Sequence, residues 1–252
     1  MPMSRRAFTG LAAGAALGAG ALVARRWTRT SPPSAESIRA AIAANFESLG
    51  SFLASVRCAA DAPAENFDNG TLAWRGEHDF RLDRGSRGDA IRAGRSGFNQ
   101  TEPNSELLYS GRWDDPEVTA RMNVAIEIGD LDLRRLVEDL AAGDFQVAAD
   151  QDDDGGRGWL LAGERLRLRV DATAPHRVLQ SERIDPRGGY RFDAFFSDWA
   201  PVAPGGAECF RSARCDVILR EENALAISLE YSLSNLKTGA RLDDSLFALK
   251  HV

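Results

Sequence analysis

The chain has 252 residues, 44 % of them hydrophobic, and carries 31 cationic and 37 anionic side chains for a net charge of −6. That balance excludes attraction to a polyanion as the basis of function, so no nucleic-acid partner is expected. With only three cysteines and three histidines, and no CxxC or HExxH spacing, a structural zinc module is excluded as well.

Arg5 and Arg6 precede a run from Ala7 to Ala24 made only of Ala, Gly, Leu, Val, Phe and Thr. The run is short and weakly apolar for a membrane span. It has the n-region and h-region of an export signal, and Ser4-Arg5-Arg6-Ala7-Phe8 fits the twin-arginine pattern. Residues 1–24 are therefore expected to be a signal directing the chain to the periplasm or cell envelope. Small residues at Ala19-Gly20-Ala21 and at Ala24 offer cleavage sites. An uncleaved signal would tether the protein to the membrane. Residues 25–34 (RRWTRTSPPS) read as a linker stiffened by Pro32-Pro33.

From Ser34 onward the period is helical. Ser34 is placed to cap, Ile38, Ile42, Phe46 and Leu49 fall on one face, and Gly50 ends the helix. The period then changes to two. In TLAWRGEHDFRLD, Leu72, Trp74, Phe80 and Leu82 share one parity, and Arg75, Glu77, Asp79, Arg81 and Asp83 share the other. This predicts one long strand with a buried face and a wet face. The same alternation recurs at Val124–Ile128, at Leu166–Val170 against Arg165, Arg167 and Arg169, and at Leu225–Leu233. Further strands are expected at 52–58, 105–112, 144–149, 157–161, 176–184, 189–196 and 215–220. A second helix is expected around Leu133, Leu136, Val137 and Leu140, between Asp132 and Gly143. Two helices among about ten one-face-wet strands imply a mainly β, α+β fold: an antiparallel sheet whose apolar face the helices cover. Residues 35–252 are expected to form one domain.

Few residues suggest chemistry. Cys209 and Cys215 lie close enough in sequence to close a small loop in an oxidising compartment, or to stay as two buried thiols; both readings are open. Asp150, Asp152 and Asp154 match the first half of a calcium loop, but its twelfth position is Leu161 and its flanks read as strands, so the calcium candidacy is weak. His78 shares parity with Trp74 and Phe80. There is no Gly-x-Ser-x-Gly elbow, and neither GSRG at 85–88 nor GGRG at 155–158 has a nucleotide-binding context. No enzyme and no cofactor are expected. The alternating arginines read as the solvated face, although one turned inward would hold a carbonyl in a contact with a covering helix.

The stretch ERLRLRVDATAPHRVLQSERIDPRGGYRFDAFFSDWAPV, followed by the closing LKTGARLDDSLFALK, resembles the outer-membrane lipoprotein-sorting family, the LolA-like periplasmic carriers. The resemblance spans residues 35–252. It implies a strongly curved antiparallel sheet, an incomplete β-barrel, with helices in its concavity as a lid. It further implies that acyl chains of a lipid or lipoprotein slip between sheet and helices of a monomer that also meets other envelope proteins. On that reading Trp74, Phe80, Leu82, Leu168, Phe192, Leu229 and Tyr231 line the sheet side and Ile42, Phe46, Leu136 and Leu140 the lid. The alternative is a non-enzymatic envelope scaffold of the same fold with a filled core.

Overall fold

A computed structural model describes residues 32–76, 79–94, 97–101, 107–112, 131, 133–151, 157–184, 189–202, 206–220 and 222–249. The export signal with Arg5 and Arg6, the strand expected at Val124–Ile128, the cap Asp132, His78, Asp152 and Asp154 lie outside the described residues. The compact unit runs from Ser34 to Val252. Among the described residues, no helix is long and apolar enough to cross a membrane.

Helix α1 (Ala35–Leu49) begins where Ser34 Oγ accepts the Ser37 N–H at 3.1 Å and ends at Gly50, whose φ of 60° suits a residue without a Cβ. Its expected stripe of Ile38, Ile42, Phe46 and Leu49 is buried. After it come β1 (Phe52–Ala60), β2 (Phe67–Arg75), β3 (Asp79–Asp83), β4 (Ala90–Ala93), β5 (Gly97–Thr101) and β6 (Leu107–Arg112). Helix α2 (Leu133–Ala142) separates these from β7 (Gln146–Gln151), β8 (Arg157–Ala162), β9 (Leu166–Asp171), β10 (Val178–Ile184) and β11 (Tyr190–Ser197). A small ribbon, β12 (Ala200–Pro201) and β13 (Glu208–Cys209), leads into β14 (Ser212–Leu219) and the long β15 (Ala224–Thr238).

Thirteen strands make one antiparallel sheet in the order β6-β5-β4-β3-β2-β1-β15-β14-β11-β10-β9-β8-β7. Among the described residues its ends, β6 and β7, do not pair, so the curved sheet is a barrel left open. Each half is a meander of near neighbours. The halves join where β1 pairs with β15, for example Val56 with Leu233 and Cys58 with Tyr231. The register carries the apolar rows across the sheet: Phe52, Trp74, Phe80, Ala93 and Phe98 form one, and the Phe52 and Trp74 rings stack at 4.0 Å.

Two expectations need correction. TLAWRGEHDFRLD is not one strand but the β2–β3 hairpin, with Arg75 opposite Asp79 and Gly76 at a φ of 59° in the reversal. The pairs Leu72–Leu82 and Trp74–Phe80 face each other across it, so the shared parity survives the turn. β4 and β5 were not expected because β5 is buried on both faces and shows no alternation.

The convex face carries the alternating arginines, and the chain's closing segment crosses it. Arg75 donates to Leu242 O at 3.2 Å, and Arg81 and Arg92 both donate to Leu246 O, at 3.1 and 3.2 Å. Phe247 is buried below the Arg75 guanidinium, 4.8 Å away. The Leu-Asp-Asp-Ser-Leu-Phe stretch is thus a strap over β2–β4. Near β5, Arg84 and Asp89 form a buried ion pair, 3 % and 8 % exposed, that Gln100 joins by donating to Asp89 at 2.9 Å. Removing one member of such a pair strands a buried charge. Asp89→Ala is expected to lower stability by about 3 kcal/mol in urea unfolding, and the double variant Arg84→Met/Asp89→Leu to recover most of that loss.

Candidate functional site: the trough under the helices

The eleven expected lining residues share one face and are all 5 % exposed or less. Trp74, Phe80, Leu82, Leu168, Phe192, Leu229 and Tyr231 stand on the concave face, with Ile42, Phe46, Leu136 and Leu140 on the helices. Of these, Phe46 borders the cleft described next. A cleft of about 500 Å³ is lined by Ala43, Phe46, Glu47 and Gly50–Ser51 from the α1 end, Gly76 from the β2–β3 turn, and Val137 and Glu138 from α2. It therefore marks the seam between the two helices. Its walls are apolar and its rim carries the two carboxylates. Beside the other flank of α1, the space among Ile42, Asn45, Phe46, Pro175, His176, Arg177, Val178 and Trp199 is only about 10 Å³, so that side is closed.

Polar ties fix the two helices differently. On α1, the Asn45 amide bonds the Glu208 backbone in both directions at 2.9 Å, as a neighbouring strand would. Glu208 is held in turn by Arg177 at 2.5 and 3.1 Å. Burial pushes the nearby Asp171 carboxyl above its ordinary range, against the opposing Arg177 N–H and charge. On α2, Asp139 accepts from Arg183 at 2.6 Å. Arg183 lies opposite Leu166 and Phe192, on the face under the helices. It is an inward-turned arginine, and it grips a carboxylate where a carbonyl was expected. A register shift between Val178 and Gln180 rephases β10, so that Val178, Ser181 and Arg183 come to one face.

No protein-family model and no curated protein matches the sequence. Solved structures do. A DUF1329 family protein from Desulfovibrio piger superposes with a TM-score of 0.56 at 13 % identity, over 87 % of this chain and 98 % of that one. A LolA superfamily protein from Nitrosomonas europaea gives 0.54 at 15 % identity, over 87 % and 100 %. The fold is LolA-like. At these identities the likeness is one of architecture, and the LolA-like frame places the cleft between its covering helices.

The remaining candidates lie outside the trough or within its packing. Asp150, on β7 at the edge of the LolA-like sheet, is held by Arg169 at 2.5 Å. Among the described residues no group of three or more His, Cys, Asp or Glu is placed to hold a metal. The Cys209–Cys215 bridge left open by the sequence is not formed: both are reduced, buried thiols, as is Cys58. Cys209 belongs to the small β12–β13 ribbon and Cys215 to β14 of the large sheet. Burial pushes the Cys209 thiol up to about 12, which leaves almost no reactive thiolate at neutral pH.

Ellman titration at pH 8 should accordingly find little reaction in the folded protein and three thiols in guanidinium; a single thiol there would restore the bridge. Arg183→Ala should speed amide exchange across Leu133–Ala142 while moving global stability by no more than about 1 kcal/mol, because the ion pair is partly solvated.

Proposed function

We propose that this is an exported, non-enzymatic carrier that holds the acyl chains of a lipid or lipoprotein between its curved sheet and the two helices. The cleft at the helix seam carries this reading. At about 500 Å³ it falls within the size range of small-molecule sites, and its apolar wall of Ala43, Phe46 and Val137 suits an alkyl chain. Each CH2 transferred from water contributes about 0.8 kcal/mol. Beneath the helices, the concave face offers a continuous apolar surface for a chain that parts them. Arg5 and Arg6 support twin-arginine export to the periplasm, where such a cargo would be met. The protein acts as a monomer, alone or with other envelope proteins, and needs no cofactor.

The second reading is a scaffold with a filled core. One observation favours it: ten of the eleven lining residues are sealed in packing and do not border the cleft. Native mass spectrometry of protein purified from its host envelope separates the two. A bound mass that solvent extraction releases as lipid or acylated peptide supports the carrier; a clean apo mass, with no displacement of a fluorescent fatty acid, supports the scaffold. Ala43→Trp, which fills the cleft, is expected to lower fatty-acid affinity at least tenfold with the melting temperature shifted by only a few degrees.

A further inference from the structure

Ser181 has no evident structural role. It lies on β10 between Val178, which adjoins Ile42 and Phe46 of α1, and Arg183, which holds Asp139 of α2. It thus stands on the concave face between the places where the two helices rest. Its cross-strand neighbours are Leu168 and Ala194, both 0 % exposed. Ser181 is itself 1 % exposed, and its Oγ has no hydrogen-bond partner. A hydroxyl buried among carbon atoms without a partner is unfavourable, and an alanine there, as at Ala194, would avoid the penalty. The hydroxyl caps no helix and completes no network. Such a group on the sealed concave face is accounted for when a cargo chain that parts the helices supplies the missing partner.

We infer that Ser181 is the polar contact of the cargo: its O–H donates to the carbonyl oxygen of an acyl ester or amide whose alkyl chain lies along the apolar face. This rests on the carrier reading above and narrows it to a preference for carbonyl-bearing acyl groups over plain hydrocarbons. Arg183 is two residues further along the strand, about 7 Å away, and its positive charge favours the same partial negative charge on the carbonyl. A site built to hydrogen-bond a group discriminates against an analogue lacking it, because the buried partner is then left unpaired.

The test is competition against a fluorescent alkyl probe on the full chain. The competitors are methyl palmitate, palmitamide and a straight alkane with as many heavy atoms as the ester. The wild-type protein should favour the carbonyl compounds over the alkane by roughly tenfold, one good hydrogen bond's worth. Ser181→Ala should erase that preference, leave alkane affinity unchanged, and melt no lower than wild type. A preference for the ester alone would identify glycerolipid-type cargo; an equal gain for the amide would include N-acylated chains. Equal binding of ester and alkane by the wild type, or a preference that survives Ser181→Ala, overturns the inference. Failure of all three competitors instead overturns the carrier reading on which it rests.

Discussion

One constraint governs this molecule: a thirteen-stranded sheet carries most of its large apolar side chains on its concave face, and that face must be kept from water. A flat sheet of this width would need a second layer of similar area. Among the described residues, helices Ala35–Leu49 and Leu133–Ala142 cover the concave face. The sheet therefore curves around them, bringing β2 and β3 on one side and β9–β11 on the other over the same small cover. At the seam between them, beside Phe46 and Val137, these helices leave a cleft.

The two covering helices are tied to the sheet by unlike means. α1 is capped at both ends, buries four large apolar side chains and docks Asn45 on a backbone edge. α2 is shorter and grips the sheet through the partly solvated Arg183–Asp139 pair. Leu136 and Leu140 of α2 are buried against the sheet beside that pair. On the opposite face the cover is not a helix but the closing strap, held through main-chain carbonyls by Arg75, Arg81 and Arg92. The arginines hold the strap mainly through its carbonyls, and the strap adds the Asp244 carboxylate, paired with Arg75, and the buried Phe247.

Much of this was legible in the sequence. The 3.6-residue stripe of α1 and its Ser34 and Gly50 boundaries carry their own physics, as does the two-residue alternation of β9 and β15. The β2–β3 hairpin was misread because alternation reports parity and not direction: Leu72 and Leu82 stay on one face whether the chain continues or reverses, and Gly76 was the available sign of reversal. β4 and β5 escaped because strands covered on both faces lose the alternation. The trough's polar groups escaped for a different reason. In VLQSERI, simple alternation sets Ser181 and Arg183 apart from Val178; the bulge that reunites them is a property of pairing with β9 and leaves no mark in β10 itself. Asn45 was hidden in the same way, since its partner is a backbone 163 positions away.

The join between β1 and β15 also has a bearing on how the chain is made. β1 pairs, on one side, with β15, the last of the described strands in chain order. Until residues 224–238 emerge, β1 remains an open edge and the two meanders are separate sheets with uncovered apolar faces. Pairing over so long a separation is slow, and exposed edges in the interval invite association with other chains. Removal of β15 (Ala224–Thr238) would take away the strand that pairs with both β1 and β14 and so disconnect the two halves.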